Sequence, residues 1–268
     1  MKNAGFMQKK LTVVILCIIA GIFVFSCGLE EVLSLDAPTV TQNNPLYSST
    51  DYLTWYSAFT TEESSQPEQF IGTEVYYKIY NNYSSLTSQR SAILSVNTTS
   101  NSSAAATRMI ETYTYQPLGT SVNTGRVVFV PNSGSNRRVI IRLKNYLDGS
   151  GVTGDSDRFN FVACIGFRSG ESFDYTYDGD YYIPYRNGNS KSFDFFDYDE
   201  DNKGGSRDVE PVEGDSDYFH NSNGFSEGYE NTYFVQLFAV AKAWNTDTCA
   251  PSYSLVLDLG SIPIKKGE

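Results

Sequence analysis

Histidine is almost absent from this chain of 268 residues; His220 is the only one. A zinc site built from several histidines is therefore excluded, and a Ser-His-Asp or Cys-His mechanism has little to draw on. His220 lies among Asp217, Asn221, Asn223 and Gly224, a loop composition, and is expected to be exposed rather than catalytic. Basic residues are also short: 20 Lys and Arg stand against 31 Asp and Glu, a net charge of −11. That balance argues against a nucleic-acid partner, because phosphate backbones are gripped by basic patches. It argues equally against a polybasic grip on anionic lipid. Neither a His-Glu-x-x-His pair nor a phosphate loop occurs. No apolar run reaches the roughly 20 residues of a membrane-spanning helix.

What the chain does have is a marked start. Lys9 and Lys10 precede an apolar run, residues 11–25, that stops at Ser26-Cys27. A basic start, a short apolar core and a small residue before a cut site are the marks of a targeting segment. The tetrad Val24-Phe25-Ser26-Cys27 resembles the lipobox of a bacterial lipoprotein, in the relaxed form tolerated in spirochaete-like examples. The resemblance implies removal of residues 1–26, acylation of Cys27, and an extracytoplasmic protein held on a membrane by its N-terminal lipid. Several acyl chains (palmitate among them) would give a firm anchor. Gly28 follows the cysteine, where enteric inner-membrane lipoproteins resemble one another in carrying aspartate. Outer-membrane attachment is therefore expected, on either the periplasmic or the surface face. Removing residues 1–26 takes away three lysines and no acids, moving the charge from −11 to −14. Cys17 leaves with the signal. An oxidising compartment permits one disulfide between Cys164 and Cys249; two buried free thiols are the alternative.

Residues 27–38 read as the lipidated cysteine and a tether, and 39–268 as one all-β domain. Short runs of Tyr, Phe, Val and Ile, separated by Asn, Ser, Gly and Asp, carry the strand pattern. The clearest strand is 232–243, apolar on both faces through Tyr233, Val235, Leu237 and Ala239 and through Phe234, Phe238 and Val240. A strand of that kind is central or covered. Further strands are read at 73–80 around Val75, at 52–58 around Trp55, at 254–259, at 126–130, at 137–143 and at 159–165. Residues 107–116 are strand-rich though poorly alternating, and 95–105 read as an exposed loop. The segments Asp36-Ala37-Pro38-Thr39-Val40, Leu53-Thr54-Trp55 and Gly72-Thr73-Glu74-Val75-Tyr76-Tyr77-Lys78-Ile79 resemble the first three strands of a fibronectin type III domain. Tyr233-x-Val235-x-Leu237-x-Ala239-Val240 is similar to that family's penultimate strand, and Pro251 to Val256 to its turn into the last. The resemblance implies a fibronectin type III-like or immunoglobulin-like β-sandwich, enlarged by an insertion at about 81–230. Such folds are reused widely and say little about activity.

The stretch 171–217 gathers acids and rings. Asp197, Asp199 and Asp201 alternate ahead of Gly204 and Gly205, with Asp208 as a possible closing ligand. Aspartates in that pattern can converge on a hard cation, so calcium is the one cofactor the chain suggests; a solvated acidic loop is the plain alternative. Tyr175, Tyr177, Tyr181, Tyr182 and Tyr185, exposed, would form a ligand surface. Together with Phe193 and Phe195 they would otherwise be ordinary core. The function these readings favour is non-catalytic: an envelope lipoprotein binding a protein or a glycan through loops of a β scaffold. One alternative is a structural or assembly component of the envelope. Another is a hydrolase such as a glycosidase, which needs two carboxyl groups across a cleft.

Overall fold

In the computed structural model the described residues are 33–40, 57–120, 128–143, 164–169, 172–174, 176–177, 180–181, 184–186, 191, 193, 195 and 210–265. All of these but residue 33 belong to one unit, Ser34–Glu268. Its strands are β1 (Thr39–Val40), β2 (Ser57–Thr60), β3 (Phe70–Tyr80), β4 (Gln116–Pro117), β5 (Gly119–Thr120), β6 (Val130–Pro131), β7 (Arg138–Arg142), β8 (Cys164–Ser169), β9 (Ser172–Asp174), β10 (Thr176–Tyr177), β11 (Asp180–Tyr181), β12 (Pro184–Tyr185), β13 (Tyr218–Phe219), β14 (Thr232–Asn245), β15 (Ala250–Tyr253) and β16 (Leu257–Lys265). Two helical elements follow β3: α1 (Tyr83–Leu94), and α2 (Ser103–Thr107), which widens into a π-helical turn at Arg108–Thr112. Strands dominate, as the period-2 runs imply.

The long strands β3 and β14 pair antiparallel from Phe234↔Tyr80 to Ala243↔Phe70. β16 lies on the other side of β14, with Val235 opposite Ile262. β4 and β6 add to the outer edge of β3, and β13 joins its end in parallel, Tyr218 opposite Ile79. Gly72 is where β6 crosses closely: its φ is 149°, and a Cβ there would collide with the Val130 carbonyl. The second sheet has the order β1-β2-β7-β8-β9. The chain changes sheets in the short connection from β6 to β7.

One core joins the two sheets. Val75, Tyr77 and Ile79 of β3, and Tyr233, Val235, Leu237 and Ala239 of β14, meet Phe59 of β2 and Val139 and Ile141 of β7. Phe193 and Phe195 fill the same core, each 1% exposed. The opposite face of β3 and β14 is also covered. Tyr76, Tyr80, Phe234, Phe238 and Val240 pack under Leu86 and Ile93 of α1 and Ala105, Ala106 and Met109 of the second helical element. The double-faced pattern of β14 is thus explained by a second sheet on one side and helices on the other.

These helices are the main departure from the sequence reading. The 107–116 stretch, expected as a strand, is helical to Thr112 and extended from Gln116. The 95–105 stretch is an exposed turn to residue 102 and then helix. Helix α1 is started by Asn82, whose side chain accepts a hydrogen bond from the Ser85 amide at 3.2 Å. The last strand begins at Leu257 rather than 254, after the separate short β15. Val75 and Val235 fall in one core, as expected; Trp55 lies outside the described residues. The expected tether is docked by its last residues: Leu35 and Pro38 are buried, and the Gln66 side chain both accepts from the Asp36 amide (3.2 Å) and donates to the Asp36 carbonyl (2.7 Å). Because Phe195 sits between Arg186 and Tyr233 in the core, Phe195→Ala should cost about 3–5 kcal/mol. Denaturant unfolding would measure this, and a loss typical of a surface site would remove the inserted segment from the core.

Candidate functional site

At the end of the molecule where β3 finishes, residues far apart in sequence converge on one buried ion cluster. Arg186 follows β12 and is fully buried. Its Nε donates to Asp217 Oδ2 at 2.8 Å, and its Nη2 to Asp217 Oδ1 at 2.9 Å and Asp215 Oδ2 at 2.8 Å. Lys191 Nζ donates to Asp215 Oδ1 at 2.8 Å. The Tyr77 hydroxyl donates to Asp217 Oδ2 at 2.7 Å, and the Ile79 amide to the Asp217 carbonyl at 2.8 Å. Backbone positions the groups: an antiparallel bridge pairs Arg186 with Lys191, and the parallel pairing of β13 with β3 delivers Asp217 to Tyr77.

A planar guanidinium gripping a carboxylate with two parallel bonds is the strong form of this contact. Burial opposes charge on Arg186, but Asp217 and Asp215 outweigh it and leave its pKa raised. Burial likewise pushes the Asp215 carboxyl up, yet Lys191, the Val212 amide and Arg186 together hold it below its usual value. Two cations face two carboxylates, and both acids are committed to fixed donors. The arrangement can fasten the 184–195 segment and β13 to the sheet; it does not present a spare acid and base. Rings wall it: Arg186 lies 5.7 Å over Phe195, which meets Tyr233 edge-on at 5.2 Å, and Tyr77 meets Phe193 at 5.1 Å. Burial raises the Tyr233 pKa, and so does the bond its hydroxyl donates to Glu210 Oε1 at 2.8 Å.

A second polar group lies on the helix-covered face. Lys78, 6% exposed, donates to the Tyr113 carbonyl and, at 3.1 Å, to Thr114 Oγ1, with the Phe219 ring 5.8 Å away. Desolvation lowers its pKa to about 8, against a smaller upward pull from Asp217. A lysine so depressed suits nucleophilic chemistry in some enzymes. Here its ammonium caps the carbonyl end of the π-helical turn, a place where a cation is stabilising, so it serves as a strut. Gln236, directly opposite Lys78 in the register, donates to Asp258 Oδ1 at 2.7 Å, and Asp258 also pairs with Arg90 of α1.

The expected site residues are distributed unevenly. Tyr185 is half-buried on β12, opposite Gly119. Tyr177 and Tyr181 lie on the β10–β11 pair, where Thr176 faces Tyr181 and Tyr177 faces Asp180. Cys27, Tyr175, Tyr182, Asp197, Asp199, Asp201 and Asp208 lie outside the described residues. Phe193 and Phe195 are core. His220 is exposed, 3.4 Å from Glu213. Cys164 begins β8 opposite Arg142. Cys249 is exposed at φ 52°, its Sγ 3.6 Å from the Thr246 carbonyl, so a buried thiol is not the form it takes. Among the described residues, exposed Val212 went unread in the sequence, and so did Trp244, 47% exposed near the end of β14 and opposite Pro251. The signal for Trp244 was the continuation of the strand one residue past Ala243. No family model matches this chain, and neither does any curated protein or solved structure.

Two outcomes follow from the ion cluster. Arg186→Met leaves Asp217 buried without its partner and should cost about 3–5 kcal/mol, whereas Arg186→Met with Asp217→Leu should recover much of that in denaturant unfolding. Asp215 has a lower pKa folded than unfolded, so the unfolded chain takes up its proton first. Its contribution is full above the ordinary aspartate range and is lost as pH falls through the depressed value. Asp215→Asn should therefore flatten the acid side of the stability profile, and an unchanged slope would refute the assignment.

Proposed function

We propose that the chain is an extracytoplasmic lipoprotein, acylated at Cys27 and held at the outer membrane, that works by binding a protein or a glycan through loops of a fibronectin type III-like scaffold. The observation that carries the scaffold reading is the strand order. β1-β2-β7 facing β16-β14-β3 has the neighbour relations of strands A-B-E facing G-F-C in immunoglobulin-like sandwiches. In that reading the insertion is two excursions, one between β3 and β7 that supplies the helices, and one between β7 and β14 that supplies the acidic and aromatic stretch. Loops carried on a rigid sandwich are the usual place for recognition. The commitment of Asp215 and Asp217 to cations favours binding over an acid-dependent hydrolase. Calcium on Asp197, Asp199, Asp201 and Asp208 would, in this reading, order a loop rather than catalyse.

Labelled fatty acid should enter the wild-type chain and not Cys27→Ala; equal incorporation would refute the anchor. A photo-crosslinking residue placed at Tyr185 in living cells should trap a different macromolecule. Adducts only with further copies of this chain would favour a structural envelope component instead.

A further inference from the structure

The end of the molecule opposite the ion cluster holds two features clipped to the same short connection. The entering chain is fixed there by Asp36, through its reciprocal bonds with the Gln66 side chain. The β14–β15 hairpin is fixed there by the Trp244 amide, which donates to the Gln69 carbonyl at 3.2 Å. Gln69 is three steps along the chain from Gln66, so the two clips are within roughly 10 Å along it. Asp36 is nine steps along the chain from Cys27, a reach of roughly 30 Å at most. The hairpin shows solvent an indole 47% exposed, with the exposed Pro251 directly across the ladder.

We infer that this hairpin seats Trp244 and Pro251 in the zwitterionic headgroup layer of the membrane that carries the Cys27 lipid, an inference that rests on the lipoprotein reading above. Tryptophan, with an apolar body and one N–H donor, favours the membrane–water interface. Burying part of a large ring there is favourable by the usual area argument. Charge selects the kind of surface. Asp36, Glu68 and Asp247 are exposed around this end and Glu62 is half-buried; of the cations there, Arg137 is engaged by Glu63 and Lys242 by Glu74, and Arg138 is half-buried. Anionic lipid would therefore repel this end, within a Debye length of its surface; a surface with no net charge would not.

The test uses the full chain, purified acylated from membranes and reconstituted in phosphatidylcholine vesicles brominated near the headgroup end of the acyl chains. The chain has two tryptophans, so Trp55→Phe leaves Trp244 as the sole emitter. The difference between wild type and Trp244→Phe gives the same signal without touching residue 55. Trp244 emission should move to the blue and lose most of its intensity in brominated vesicles, and the loss should shrink when phosphatidylglycerol is added. Intact mass reports acylation of Cys27 in the same sample. An unacylated cysteine overturns both the anchor reading and this inference. An acylated chain whose Trp244 emission is unaltered by bromine overturns this inference alone.

Discussion

Strands β3 and β14 carry apolar side chains on both faces, so neither face of the sheet they centre can be left in water. The rest of the fold answers that requirement. On one side the answer is a second sheet, which brings Phe59, Val139 and Ile141 against Val75, Val235 and Leu237. On the other it is a pair of short helical elements that bury Leu86, Ile93 and Met109 and, between the larger residues, the small Ala105 and Ala106. Small residues let a helix sit close on a sheet whose own side chains, Tyr76, Tyr80, Phe234 and Phe238, already fill the space. The bulk is supplied by the sheet, and the helices act as a lid shaped to it.

Covering a sheet with irregular chain leaves polar groups at the seams, and charge is used there. Glu63, buried in the connection before β3, accepts from Arg137 at 2.8 Å and 3.0 Å and from Ser133 at 2.6 Å and 2.8 Å, which locks the sheet-changing loop. Glu74 holds Lys242 at 3.0 Å across the β3–β14 pair; burial raises its carboxyl pKa, against the pull of Lys242. Lys78 caps a helical end, Arg90 ties α1 to Asp258 of β16, and Arg186 ties the 184–195 segment to β13. Each joins elements that the apolar cores alone would leave free to slide. Buried pairs add little net stability over apolar packing, but a partner left alone is costly. They therefore specify where the covering segments go more than they stabilise the whole.

That division accounts for what could be read in advance. The strands at Val75 and Val235 were legible because alternation is local. Helix α1 was not, since only Leu86 and Ile93 of its residues are buried and serines and threonines fill much of the rest. Its one local signal was Asn82 as a cap, which an Asn-rich chain makes easy to pass over. The ion cluster could not be read at all. Arg186 lies about thirty residues from Asp215 and Asp217, and Tyr77 lies 140 residues from Asp217. The pairing of β13 with β3 brings Asp217 to Tyr77, and that of β12 with β5 positions Arg186; two-residue strands leave almost no trace in sequence. Phe193 and Phe195 alternated as core residues would, and are core. The tyrosines beside them share the same composition, so composition could not separate ring that packs from ring that recognises.

The two ends of the sheet pair differ in kind, and the difference follows from where the chain enters. Residues 34–38 dock beside the connection before β3, so the chain enters this unit at the end bearing Glu63, Gln66 and Trp244. The end bearing Arg186, Asp217, Tyr218 and His220 is separated from it by the length of β3, eleven residues, or roughly 35 Å of extended strand. There β12, β13 and the 210–231 loop converge on a cluster whose charges are internally matched, so the surface above it is free to vary without unsettling the sheet beneath. A recognition surface is best placed where the scaffold is already satisfied, because loops that need not hold the core can be shaped by a partner instead.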